Sequence, residues 1–168
     1  MIKKFLICAL FLLGFVLFET SILSNILYIK IMPDLVLLVT IYIAINNGKL
    51  FGVTSGFTGG LLLDFFSLAP FGLHALVRTI IGYIGGTFRK SINTSGILIP
   101  FVIGICVTLL KGITAFVVSI LFPHVRAFDL FSLGFLVEIL INAVLAPFTF
   151  RFLNVFNRLI TVDIGKVM

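Results

Sequence analysis

The sequence predicts an all-α fold, a polytopic membrane bundle of six transmembrane helices. Three observations carry the prediction. Hydrophobic residues make up 61 % of the 168 residues and charged residues only 11 %, where a soluble domain runs near 45–50 % and about 25 %. The apolar residues fall into six runs joined by short, turn-rich connections. The basic residues gather on alternate connections, as they do in the cytoplasmic loops of membrane proteins. A chain this short has too little interior to hide so much apolar surface, and disorder requires low hydrophobicity. Lipid is therefore the expected solvent. The formal net charge of +6 would suggest nucleic acid in a soluble protein. Here it is read as a mark of the cytoplasmic membrane face, with no nucleic-acid partner.

A spanning helix needs about 20 apolar residues. The first run, about 5–23, follows Met1-Ile2-Lys3-Lys4 and could open a signal peptide. The residues after its core, Glu19-Thr20-Ser21-Ile22, are poor for cleavage, so it is read as a retained helix. The second run, 33–46, is short enough to be re-entrant on its own. It opens on Pro33-Asp34, a proline at a first helical position followed by an acid, which suits a helix start. The remaining runs are 50–66, 73–88, 97–122 and 131–153. Asn46-Asn47-Gly48 and the segments 67–72, 91–96 and 123–129 supply the turns. The whole of 1–168 reads as one integral-membrane domain with no room for a soluble one.

Charge tests the division. With six spans and a cytoplasmic N-terminus, both termini are cytoplasmic. The inner set is then Lys3, Lys4, Lys49, Arg89, Lys90, Arg151, Arg158 and Lys166, eight cations against Lys30 and Arg126 outside. If the short second run did not span, Lys49, Arg89 and Lys90 would change sides and the bias would weaken.

Gly48, Gly52, Gly56 and Gly60 recur every four residues, and Gly82 and Gly86 repeat the spacing. Four residues turn a helix by about 400°, so such glycines share a face, and small residues at that interval let membrane helices approach closely. The face either receives a partner subunit or forms a seam within the bundle; the seam is the simpler reading.

Arg78, Lys111 and Glu138 fall within spans, and Glu19 and Asp64 lie near outer ends. Intramembrane charges are costly and usually face a bundle interior. At about 1.5 Å per residue, Arg78 lies roughly 8 Å and Glu138 roughly 10 Å below the outer helix ends, and Lys111 roughly 17 Å. Arg78 and Glu138 are thus matched in depth, and Lys111 can also reach Glu138. His74 shares a face with Arg78, and Asn142 with Glu138. A structural pair holding helices together is preferred over an ion or substrate path.

Nothing points to catalysis. Gly52-Val53-Thr54-Ser55-Gly56 is not a G-x-S-x-G motif, and His74 and His124 have no spacing to a nucleophile. Acidic head-group clusters, a Walker loop and H-E-x-x-H are missing from the sequence. Cys8 and Cys106 sit in apolar runs, without a disulfide or zinc pattern. No cofactor, metal or catalytic residue is expected.

Several ordered segments resemble the MreD family of bacterial rod-shape-determining proteins: Pro33-Asp34-Leu35-Val36-Leu37-Leu38, 56–66 with Gly56, Gly60 and Asp64, Pro70-Phe71-Gly72-Leu73-His74, Gly82-Tyr83-Ile84-Gly85-Gly86, and Asn142-Ala143-Val144-Leu145-Ala146-Pro147. The resemblance runs from the first helix to about Leu159. It implies a non-enzymatic subunit of the bacterial inner membrane, a scaffold in the cell-elongation complex. Its implied partners are MreC, most directly, the actin-like MreB, RodA and a class B penicillin-binding protein. It also implies a fold like the substrate-binding subunits of energy-coupling-factor vitamin transporters. Such a transporter subunit is the alternative function, although the first helix lacks the Ala-x-x-x-Ala docking pattern: Ala9 is followed by Leu13. Pro33, Asp34, Gly56, Gly60, Asp64 and Gly72 match the family pattern.

Overall fold

The computed structural model describes residues 2–23, 33–67, 70–89, 91, 92, 94, 96–122 and 128–161. Tyr28, Lys30, Lys90, His124, Arg126 and Lys166 lie outside the described residues. Helix α1 (Ile2–Leu17) runs directly into a wider π-helical segment, Phe18–Leu23. It is followed by α2 (Leu35–Asn47), α3 (Lys49–Phe66), α4 (Leu73–Thr87), α5 (Leu98–Leu121), α6 (Leu133–Val155) and a final turn, α7 (Asn157–Ile160). The described residues are thus all-helical, and three stretches among them, Lys3–Ser21, Leu98–Leu121 and Leu133–Val155, are long and apolar enough to cross a membrane.

Helix α2 is the shortest of the six principal helices and the most buried. Its 13 residues extend about 20 Å, less than the roughly 30 Å of a hydrocarbon core. Every residue from Leu35 to Ile45 is buried. Helices α1, α3, α4 and α6 pack around it, with α5 touching one side. A helix that is apolar all round belongs inside a bundle, and its neighbours then take the place of lipid. Its polar side chains find partners there. The Tyr42 hydroxyl donates to Asn154 Oδ1 at 2.7 Å, and its ring meets Phe150 edge-on at 5.3 Å between centroids. Thr40 donates to the Val36 carbonyl.

The connection from α2 to α3 is tighter than the turn read from Asn46-Asn47-Gly48. Both asparagines belong to the helix, each returning its amide to a carbonyl four residues back, Tyr42 and Ile43. Gly48 alone makes the joint, at φ +95°, a left-handed value that glycine adopts without strain. Pro33 is likewise two positions outside its expected place. Asp34 is the N-cap, its Oδ1 accepting from the Leu37 N–H at 2.9 Å, so the proline precedes the cap.

Successive helices alternate in direction. The ends of α1 and α3 meet the starts of α2 and α4 around Glu19, Asp34, Asp64 and His74. At the opposite end, the Lys4 ammonium donates to the Thr161 carbonyl, Lys49 sits 5.3 Å from the Tyr83 ring centroid, and Arg89 lies against Gly48.

The glycine spacing is used between α3 and α4. Gly52 faces the backbone of Gly82, Gly56 that of Arg78 and Thr79, Gly60 that of His74 and Ala75, and Gly86 that of Lys49. Backbones this close leave no space for a Cβ. A second close approach joins α5 to α6, where Gly104 meets Ala143 and Asn142. Outward-facing positions are apolar, among them Leu10, Phe57, Leu140 and Phe148, each more than half exposed. Such a continuous apolar surface belongs in lipid.

Gly56→Ala should lower stability by at least the 1–3 kcal/mol typical of overpacking, read as an earlier unfolding midpoint in detergent. Gly14→Ala, where a Cβ meets nothing within 4 Å, should leave it unchanged.

Candidate functional site

The start of α2 lies inside the bundle and gathers the buried charges. Asp34 is 3 % exposed, and its carboxylate accepts both charges available on neighbouring helices. Arg78 Nη2, from α4, donates to Oδ1 at 2.7 Å and Oδ2 at 2.8 Å. Lys111 Nζ, from α5, lies 2.8 Å from Oδ2 and 2.5 Å from Glu138 Oε1 on α6. The backbone N–H of Asp34 donates to Asn142 Oδ1 at 2.9 Å. Asn142 in turn donates to Thr108 Oγ1 at 3.1 Å, and Thr108 donates to the Gly104 carbonyl. Glu19 approaches from the π-helical segment, its Oε2 accepting from the Val36 N–H at 3.2 Å. His74 Nδ1 is 3.1 Å from Arg78 Nη1; since a guanidinium only donates, Nδ1 is the acceptor.

Each placement has a local cause. A helix N-terminus leaves N–H groups unpaired and carries partial positive charge. Asp34 and Glu19 meet both demands at α2. Asp64 does the same for α4 from the end of α3, accepting from the N–H groups of Gly72, His74 and Ala75 at 3.0–3.1 Å. Gly72 takes φ +94° at that start, which permits the sharp entry. Glu19, Asp34, Ser67, His74, Arg78, Lys111 and Glu138, with Thr20, Leu63 and Phe66, line a cavity of about 340 Å³.

The sequence set Arg78 at the depth of Glu138, but the structure joins Arg78 to Asp34 and leaves Glu138 to Lys111. Helix α2 packs against both α4 and α6 and brings Asp34 between the two charges. Asn142, Pro33, Asp64 and Gly72 all stand at this end of the bundle, whereas Gly52, Gly82 and Gly86 lie along the α3–α4 seam. The sequence pattern places Asp34 at a helix start but not at the hub of the buried charge. A depth signal for Asp34 was present: a helix about 20 Å long cannot begin at the membrane surface and also reach the other side.

The described residues form a helical membrane bundle pinned by an internal ion network. The family of rod shape-determining protein MreD matches residues 1–156. The chain belongs to that family, whose role is rod shape determination. No curated protein and no solved structure matches it.

Asp34→Ala leaves two buried cations short of a counter-charge and removes a cap. A loss of about 3–5 kcal/mol is expected, measured as unfolding free energy in detergent. Asn142→Ala, which unpairs the Asp34 N–H and removes one of the two hydrogen bonds of the Thr108 hydroxyl, should cost about 1–3 kcal/mol. Paired with Arg78→Met, Asp34→Asn should cost less than the two changes added separately, by about 0.5–3 kcal/mol. Simple additivity would show that the pair is not coupled.

Proposed function

We propose that this chain is a non-enzymatic inner-membrane scaffold of the cell-elongation complex. It crosses the membrane six times with both termini in the cytoplasm. It binds MreC, and with MreB, RodA and a class B penicillin-binding protein it helps couple the cytoskeleton to peptidoglycan synthesis. The match to the MreD family over residues 1–156 carries this reading. The alternating helix directions and the basic Lys4, Lys49 and Arg89 at one end support the orientation. The flanks of the helices make up most of the described surface, so contacts with partners are lateral, as a scaffold requires. The glycines of the α3–α4 seam face each other rather than outward, so partner binding belongs to other faces, such as α1, α5 and α6.

The polar cavity favours one second reading, a substrate-binding subunit of an energy-coupling-factor transporter. The two separate on depletion. Rod cells that round up support the scaffold, and an unchanged shape with a vitamin requirement would sink it. MreC should co-purify with the intact chain, and failure to do so would remove the direct contact.

Orientation is checked with Cys8→Ser and Cys106→Ser as background. Asp129→Cys should react with a membrane-impermeant thiol reagent added to whole cells, and Lys3→Cys only after lysis.

A further inference from the structure

We infer that the polar cavity at the start of α2 binds the headgroup of an amine-headed phospholipid, its ammonium held by Glu19, Glu138 and Ser67. The inference does not depend on the scaffold role and starts from charge. The cavity wall carries three carboxylates, Glu19, Asp34 and Glu138, against two cations, Arg78 and Lys111. Both cations are engaged by Asp34 and Glu138. Glu19 is only 8 % exposed and makes its hydrogen bond to a backbone N–H, with no cation within ion-pair distance among the described residues. A carboxylate in that position has no cation paired with it directly, and one of its oxygens is open to a charged donor.

Hydrogen-bond capacity points the same way. Glu19 uses Oε2 and leaves Oε1 free, and Glu138 uses Oε1 and leaves Oε2 free. The Ser67 hydroxyl is buried without a partner. The three residues line the same cavity, and a primary ammonium has three donors to offer them. A second feature belongs to a residue of the same cavity lining. Arg78 is 2 % exposed, and its buried Nε donor has no partner. It calls for an acceptor oxygen. A phosphoethanolamine headgroup carries an ammonium and phosphate oxygens a few bonds apart, so one ligand answers both. The cavity, about 340 Å³, has room for such a headgroup.

The source of the amine is read from the mouth. Phe66 lines the cavity while remaining 54 % exposed, and Phe65 and Phe71 beside it are 67 % and 66 % exposed. The opening therefore borders lipid-facing apolar surface, where acyl chains attached to the headgroup can lie. A soluble amine would use none of that surface.

The test uses the purified full chain in nanodiscs containing equal phosphatidylethanolamine and phosphatidylcholine, with retained lipid counted by native mass spectrometry. Phosphatidylcholine carries the same charge but has no N–H donors. Phosphatidylethanolamine should be retained preferentially. Glu19→Gln should reduce that preference by about tenfold, as the loss of a charge-assisted contact implies, while still folding. Ser67→Ala, a smaller change, should weaken it in the same direction and serves if Glu19→Gln does not fold. Equal retention of the two lipids would overturn the inference and leave the cavity to a partner's side chain. So would a preference untouched by both variants. Free ethanolamine that raises the unfolding temperature in phosphatidylcholine discs as much as the amine lipid does would overturn the lipid source. None of these readouts involves cell shape or MreC, so their failure is separate from failure of the scaffold reading.

Discussion

A helix that begins within hydrocarbon exposes several N–H groups to a solvent that cannot bind them, and a carboxylate placed there loses its hydration. The start of helix α2 is in a comparable position, because it is buried among the other helices. Asp34 caps it, and the cost of burying that carboxylate is offset only because Arg78 and Lys111 reach it from two other helices. Lys111 must then be balanced as well, which brings in Glu138. One short helix thereby ties α4, α5 and α6 to a single point, and Asn142 adds a further bond from α6 to the Asp34 backbone. Buried ion networks are weak sources of net stability but strong sources of specificity when incomplete alternatives are costly. In this bundle, the network joins α2 to α4 and α5, and α5 to α6.

Close backbone packing supplies what the ion network cannot. Between helices in lipid there is little hydrophobic drive, so contact depends on small residues that bring main chains together. The α3–α4 seam achieves this along its whole length through Gly52, Gly56, Gly60, Gly82 and Gly86. Hydroxyls that would otherwise be unpaired turn back onto their own helices, as Thr58, Thr79 and Thr114 do. The inside thus gathers its charges at one end and is mostly apolar elsewhere, and many outward positions are apolar. An outer face of this kind suits contact with lipid, and the family the chain belongs to is one of rod shape determination.

Much of this was legible in the sequence. The all-helical class, the membrane location and the boundaries of most helices followed from apolar runs and turn residues, because the length of an apolar run is a direct consequence of hydrocarbon thickness. The four-residue glycine period identified close-packing faces, since it follows from helix geometry alone. The Asn46-Asn47-Gly48 turn was drawn too wide. Asparagine is common in turns, but in a helix buried on all sides its amide can bond a carbonyl four residues back, and the rest of the chain decides which occurs.

The ion partners could not be read the same way. Depth along each helix is a one-dimensional quantity and correctly placed Lys111 within reach of Glu138. Partner choice depends also on which helices are neighbours, and Arg78 turned to Asp34 because α2 stands between α4 and α6. By itself the sequence determined the solvent, the helices and their small-residue faces, all local or compositional properties. The tertiary structure alone decided that the shortest apolar run is the central helix and that its first carboxylate is the hub of the buried charge. That outcome rests on contacts between residues distant in the chain, which no local pattern encodes.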